Sequence, residues 1–333
     1  MQMTFIELFA GIGGFRYGLE KCNLYKLTAE KSKQTEFEIQ QGRERNFDKG
    51  GRLDLLFRSG EQHGYRCVWA NEWDKYACQI YRKNFGEGEL YEGDITKIKT
   101  EEIPDHDLLV GGFPCQAFSI AGKRLGFDDT RGTLFFEIAR ILADKKPRYF
   151  LLENVRGLLS HSNGKTFQTI LEVLSDIGYV LQWEVLNSKN YGVPQNRERV
   201  FIIGHLRGER RPEVFPIRAY HKENDGFQSE EDRQGAWIPC LNTRYGQRWS
   251  GEGYIADKQS SFEKRNKSNS SNIIRRTAYS NDTRIRKLTP IECERLQGFP
   301  DNWTEGISDT QRYKCLGNAV TTNVITEIGK RLI

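Results

Sequence analysis

The residues Thr4-Phe5-Ile6-Glu7-Leu8-Phe9 read as a strand, and they run directly into Ala10-Gly11-Ile12-Gly13-Gly14. A helix-like stretch carrying Phe15 and Leu19 follows. A strand, a glycine-rich turn and a helix in that order open a doubly wound α/β sheet, and this start commits the rest of the chain to strand–helix alternation. Gly11-x-Gly13 also lets a ligand approach the backbone closely. The dinucleotide fingerprint G-x-G-x-x-G would need a glycine at position 16, where this chain has Arg16. A nucleoside without phosphates therefore fits better than a pyrophosphate. The plainer alternative is a tight turn with no ligand.

The alternation can be followed along the chain. A second strand at Tyr65–Ala70 ends in Asn71-Glu72-Trp73-Asp74, and a helix follows through Tyr81. Short strands are expected at 89–92 and 107–110, a glycine-rich loop at 111–132 and a helix at 133–143. The apolar strand Tyr149–Leu152 runs into Glu153-Asn154. A helix at 165–177 and strands at 179–187 and 199–205 complete a sheet. Two stretches break the pattern. Residues 23–62 are polar and read as an insertion. From 206 to 285 the periodicity dissolves, and 261–284 carries six basic residues (Lys264, Arg265, Lys267, Arg275, Arg276, Arg284) against Glu263 and Asp282. Thr289-Pro290 then starts a helix with Thr as N-cap and Pro at the first position, and a last helix spans 319–332.

At 333 residues the chain exceeds the size at which one core usually stops growing, so two domains are expected. It contains no run of about 18 apolar residues to span a membrane, and MQMTFIELFAGIGG lacks the basic start of a secretion signal. A cytoplasmic protein is expected. The net charge of +5, from 50 basic and 45 acidic residues, permits a nucleic-acid partner without demanding one. Seven cysteines without a C-x-x-C pair, and only five histidines, give no support for a zinc site and suit reduced thiols.

Several residues sit where open α/β sheets place ligands, at the carboxyl ends of strands. Glu72 ends the second strand, where a carboxylate accepts hydrogen bonds from a ribose diol. It lies far beyond the usual distance of about 20 residues from the glycine loop, and removing the insertion roughly restores that distance. Trp73 is placed to stack on an adenine and Asp94 to accept from its amino group, although core packing is the plainer role for a tryptophan. Gly111-Gly112-Phe113-Pro114-Cys115-Gln116 sets a thiol on a glycine-rich loop beside a rigid proline, the setting of a nucleophile rather than of a structural cysteine. Glu153 is placed to hydrogen-bond a ring nitrogen of a substrate. Arg197 and Arg199, two apart before a strand, are expected on one face, where a guanidinium meets a carbonyl or phosphate oxygen. A solvated charge run is the plainer alternative.

Together these segments resemble the DNA (cytosine-C5) methyltransferases, in the family's order and over most of the chain. Phe5–Gly14, Asn71–Asp74 and Gly93-Asp94-Ile95 are similar to its three cofactor motifs. Gly112–Gln116 resembles the catalytic Pro-Cys motif, Glu153-Asn154-Val155 the Glu-Asn-Val motif, and Gln195-x-Arg197-x-Arg199 the Gln-x-Arg-x-Arg motif. Arg286–Pro300 and Gly317–Val320 resemble the last two motifs. The resemblance implies a Rossmann-like sheet that binds S-adenosyl-L-methionine (AdoMet), in residues 1–212 and 303–333. It also implies a smaller, irregular, mainly β target-recognition domain with its hinge at 213–302.

The resemblance further implies roles for single residues. Cys115 attacks C6 of a cytosine flipped out of duplex DNA, Glu153 holds and protonates N3, Arg199 contacts O2, and Arg197 supports the same site. Phe9, Gly11, Ile12, Gly13, Glu72, Trp73, Asp94, Ile95, Pro114, Asn318 and Val320 bind AdoMet, and no metal is involved. Gln116 and Ser119 face DNA. Arg244, Gln247 and Arg248 are candidate base readers by chemistry alone. The implied setting is a monomeric modification enzyme of a restriction–modification system, with a cognate endonuclease acting separately. An RNA cytosine methyltransferase would use the same Cys115 and Glu153. A nicotinamide oxidoreductase is disfavoured by Arg16 and Cys115, and a non-catalytic relative by the complete set of motif residues. The insertion at 23–62 is the main departure from the family pattern, and it is expected to be a surface excursion that leaves catalysis intact.

Overall fold

A computed structural model describes residues 2–23, 64–114, 134–217 and 286–332 in full, and the backbone alone at 238–239, 254–258 and 283–285. In chain order these residues form β1 (Gln2–Leu8), α1 (14–23), β2 (Gly64–Glu72), α2 (Lys75–Phe85), β3 (Leu90–Glu92), β4 (Leu108–Gly112), α3 (Leu134–Lys145) and β5 (Tyr149–Val155). They continue as α4 (Lys165–Asp176), β6 (Tyr179–Asn187), β7 (Gln195–Asn196), β8 (Glu198–Leu206), β9 (Ile238–Pro239), β10 (Tyr254–Lys258), β11 (Thr283–Lys287), α5 (Pro290–Leu296), α6 (Asp309–Asn318) and α7 (Thr322–Leu332).

The main sheet has seven strands in the order β3-β2-β1-β4-β5-β8-β6. The first five run parallel, and β8 enters antiparallel between β5 and β6. The order reverses at β1, whose neighbours are β2 and β4, so the crevice beyond the carboxyl ends of β1 and β4 is the switch point where such sheets bind ligands. The apolar runs seen in the sequence are this doubly covered sheet. Phe5, Val110, Leu151 and Ile203 face one side, packed with Leu19 of α1 and Ile325 and Ile328 of α7. Ile6, Leu8, Leu109, Phe150 and Leu152 face the other, against Ile138 and Leu142 of α3 and Ile170 and Leu174 of α4. A third apolar cluster joins Ile12 and Ile80 to Leu288, Cys293, Leu296, Phe299, Trp303 and Leu316.

The expected elements are present with small shifts of boundary. β5 continues through Glu153 and Asn154, so these residues belong to the strand end rather than lying beyond it. The helix α6 was not expected, and the last helix begins at Thr322 rather than at 319. α6 escapes periodicity because only Cys315, Leu316 and Gly317, all in its last turns, are buried. The N-terminus of α5 is as read: Thr289 accepts from Glu292 N in a capping box, with Pro290 in the first turn. Arg286 makes a bidentate pair with Glu292 at 2.9 and 2.8 Å, which ties the end of β11 to this cap. Its two bonds pull the Glu292 carboxyl down to about 2.

The insertion needs one correction. Asn23 is helical, and its side chain bonds both backbone groups of Tyr65, donating to the carbonyl at 2.9 Å and accepting from the N–H at 2.8 Å. Residue 23 therefore belongs to the stem, held directly against the start of β2, and residues 24–63 lie outside the described residues. With the stem closed in this way, a short connection should replace residues 24–63 at little cost, because loop-closure entropy changes slowly with length. We expect a chain with Asn23 joined to Gly64 through a few glycines to fold and to bind AdoMet within about threefold of the full chain by calorimetry. A folded deletion that has lost AdoMet affinity would refute this.

Candidate active site

The loop after β1 turns sharply. Phe9, Gly11 and Gly13 all have positive φ, at 52°, 56° and 81°. Glycine accepts this backbone freely, whereas an aromatic residue there is strained, a pattern concentrated at functional sites. Gly13 is also required by space: a Cβ on it would lie 2.2 Å from the Phe85 ring.

Distant side chains hold this loop. The Glu72 carboxylate accepts from Gly11 N at 2.7 Å and from Trp73 N and Asp74 N at 2.9 Å each. One acid thus joins the ends of β1 and β2 and is oriented by backbone donors. Burial pushes its pKa up, and the three N–H bonds oppose that shift. Trp73 beside it is 76% exposed. Asp74 caps α2 through Tyr76 N and Ala77 N and pairs with Lys314 of α6 at 2.7 Å. Trp303 donates its indole N–H to the Ile12 carbonyl at 3.0 Å.

Other expected cofactor residues occupy different kinds of position. Asp94 follows β3 at the same sheet edge and accepts from Thr96 N at 3.0 Å and Thr96 Oγ1 at 2.9 Å, which hold it low. Pro114 and Asn318 are exposed. Ile12, Ile95 and Val320 are buried in the apolar clusters, so their side chains act as packing. Val320 packs directly on the glycine loop, since a Cβ on Gly14 would lie 2.8 Å from its Cγ1.

The second half of the site lies where β4 and β5 end together, with Gly112 opposite Glu153 in the register. Arg199 Nε meets Glu153 Oε1 at 2.9 Å, and both side chains are largely shielded from solvent. Gly112 gives the carboxylate its room, because a Cβ there would lie 3.2 Å from Glu153 Oε2. Asn154 is buried and donates to the Phe113 carbonyl at 2.9 Å, while its oxygen accepts from Val155 N at 2.8 Å. It fixes the backbone two residues before Cys115. Cys115, Gln116 and Ser119 lie outside the described residues, as do Arg244, Gln247 and Arg248.

Arg197 does not share a face with Arg199 as expected. The chain turns between β7 and β8, where Arg197 N donates to the Gln195 carbonyl at 3.1 Å, so strand alternation does not carry across it. Arg197 is buried, and its guanidinium donates to the carbonyls of Gly317 and Ala319 at 3.1 and 2.9 Å. Gln195 beside it donates to the Leu296 carbonyl at 2.8 Å, and Gln297 and Thr321 join the same buried network. Gln195 and Arg197 therefore bind the end of α5 and the end of α6 to the sheet.

The sequence reading missed Glu7. It is fully buried on β1, accepts from Phe15 N at 3.1 Å and Arg16 N at 3.4 Å, and receives the Tyr81 hydroxyl at 3.4 Å. Burial pushes its pKa up to about 8, against the pull of the nearby Arg16 charge. The available signal was an acid interrupting the apolar run Phe5-Ile6-Glu7-Leu8. The described cysteines are Cys22, Cys67, Cys78, Cys293 and Cys315, all buried. Burial pushes Cys67, Cys78, Cys293 and Cys315 up to about 12, the setting of inert thiols. Among the described residues there is no group of three or more potential metal ligands, and no helix is long and apolar enough to cross a membrane.

Residues 3–333 match the family model for C-5 cytosine-specific DNA methylase. The chain is 35% identical to the Type II methyltransferase M.DsaV of Dactylococcopsis salina, covering 100% of this chain and 86% of that protein. It is 34% identical to M.HhaI of Haemophilus parahaemolyticus, with coverages of 98% and 93%, and 38% identical to M.NlaX of Neisseria lactamica, with 98% and 95%. Among solved structures, the Entamoeba histolytica methyltransferase EhMeth aligns with a TM-score of 0.63 at 19% identity, over 100% of this chain and 98% of that one. The S. pombe Dnmt2 methyltransferase aligns at 0.64 and 20% identity, over 98% and 96%. At these identities the structural likeness speaks for the fold, and the sequence matches speak for the family. This chain belongs to the C-5 cytosine-specific DNA methylase family and is a DNA (cytosine-5-)-methyltransferase.

Proposed function

We propose that the chain methylates C5 of a cytosine flipped out of a specific duplex DNA sequence, through a covalent bond between Cys115 and C6. We further propose that it is the modification enzyme of a Type II restriction–modification system. The observation that carries this reading is the Glu153–Arg199 pair at 2.9 Å, with Glu153 opposite Gly112, which lies three residues before Cys115 along the chain. A carboxylate and a guanidinium held together match the N3 and O2 edge of a cytosine. C6 of a stacked base is out of reach, so the base must leave the duplex. Addition of the Cys115 thiolate to C6 turns C5 into an enamine-like carbon, with Glu153 delivering a proton to N3. Once C5 has taken the methyl group from AdoMet, which leaves as S-adenosylhomocysteine, loss of the C5 proton to a base, return of the N3 proton to Glu153 and elimination of the Cys115 thiolate restore the aromatic ring. Asn154 holds the Phe113 carbonyl and so steadies the approach of the thiol.

The crevice suits AdoMet. Glu72 Oε1 already accepts from two N–H groups, but Oε2 accepts only from Gly11 N and keeps acceptor capacity for a ribose hydroxyl, and the exposed Trp73 offers a stacking face for an adenine. AdoMet bound there supplies the methyl group that C5 receives. Phe9, Gly11 and Asp94 line the same edge, and the reading needs no metal.

We place the recognition region closer to 218–285 than to 213–302. Val214 and Ile217 are buried in the catalytic core, and Leu288 to Phe299 pack with Ile12 of the glycine loop. Arg244, Gln247 and Arg248 remain its candidate base readers, with basic residues of 261–284 on phosphates. The chain acts as a cytoplasmic monomer, and a cognate endonuclease acts separately.

Two measurements test this. With labelled AdoMet and duplex DNA containing 5-fluorocytosine, a covalent protein–DNA adduct is expected, and it should vanish in Cys115→Ser. Full methyl transfer by Cys115→Ser would refute the mechanism, and a preference for RNA would favour the RNA reading instead. Glu72→Ala removes a charged hydrogen-bonding group of about 1.5–3 kcal/mol, so the KM for AdoMet should rise roughly ten- to a hundredfold in a folded protein. An unchanged KM would exclude Glu72 from the cofactor site.

A further inference from the structure

We propose that Glu7 determines the class of nucleoside the glycine loop accepts, by filling from inside the protein the donors that a phosphate would otherwise use. The proposal rests on the assignment of AdoMet to this crevice. A helix that follows a glycine loop normally offers its first free N–H groups to an anion. Here α1 begins at residue 14, and the N–H groups of Phe15 and Arg16, in its first turn, already donate to Glu7 Oε1. Whether or not Glu7 carries its proton, that oxygen occupies both donors.

Two further features act the same way. Phe85 fills the space beside Gly13, where a Cβ would lie 2.2 Å from the ring. Arg16 stands where the dinucleotide fingerprint has its third glycine, but its charge is turned beneath the helix. Its guanidinium bonds Glu20 at 3.0 Å, Tyr81 at 3.3 Å and Glu89 at 3.4 Å, and lies 4.4 Å over the Phe85 ring. Two of the donors at the start of α1, the room beside Gly13 and the nearby cation are thus used internally. A nucleoside lacking phosphates loses nothing by this, whereas a nucleotide finds fewer partners for its charge.

The test measures affinity for AdoMet and for ADP, by calorimetry, in the wild type, Glu7→Ala and Glu7→Gln. The wild type should bind AdoMet and show no measurable ADP binding. Glu7→Ala frees the two N–H groups, so the preference for AdoMet over ADP should fall at least about tenfold. Inorganic phosphate should raise its melting temperature more than chloride does at equal ionic strength, an effect absent in the wild type. This second readout holds even if Glu7→Ala is largely unfolded without added anion. Glu7→Gln keeps an acceptor oxygen in place and should keep the preference. Equal binding of ADP and AdoMet by the wild type would overturn the proposal. So would a Glu7→Ala protein with unchanged preference, one that phosphate does not stabilise, or a Glu7→Gln protein that gains ADP. A wild type that binds neither AdoMet nor ADP would instead overturn the assignment of AdoMet to the crevice.

Discussion

The hydrogen bond from Gly11 N–H to the Glu72 carboxylate joins the ends of two neighbouring parallel strands at the point where the strand order reverses. A loop with three positive-φ residues has little conformational preference of its own, since much of its permissiveness comes from glycine. Its shape is imposed from three sides. Glu72 holds it from β2, Glu7 from beneath through the first turn of α1, and Trp303 from the C-terminal segment. The crevice is therefore organised before any ligand arrives, which lowers the ordering cost of binding.

The two halves of the site are coupled through buried polar groups. Arg197, Gln195, Gln297 and Thr321 tie the turn before β8 to the end of α5 and the start of α7. Arg199, two residues on, reaches Glu153. A buried network of this kind contributes to specificity of arrangement only if its members are satisfied, because unpaired groups are costly in a low-dielectric interior. α5 follows directly on β11 and the basic stretch before it. The same helix that closes the catalytic core thus also anchors the region proposed to lie on DNA.

Much of this was legible in the residues. Glu72 was legible as an acid at the end of the second strand once the polar stretch was set aside, and Asn23 bonding Tyr65 shows that the residues on either side of that stretch meet. Glu153 was legible as an acid at the end of an apolar strand. Arg197 was misplaced because the two-residue period holds only within a continuous strand, and the chain turns there. Glu7 went unread because a single acid in an apolar strand gives no hint of what it meets. Its partners are a helix start eight residues on and a tyrosine 74 residues away. α6 was missed because it buries too little of its surface to leave a periodic signal.

The order of motifs by itself determined the family and the alternating sheet, because strand and helix periods and glycine requirements are local properties of a chain. Only the tertiary structure decided what those residues do to one another. It pairs Glu153 with Arg199, turns Arg197 inward to carbonyls at the end of α6, and sets Glu7 under the glycine loop. Such contacts link residues from eight to more than a hundred positions apart, and strand order and register choose them, which no local pattern encodes.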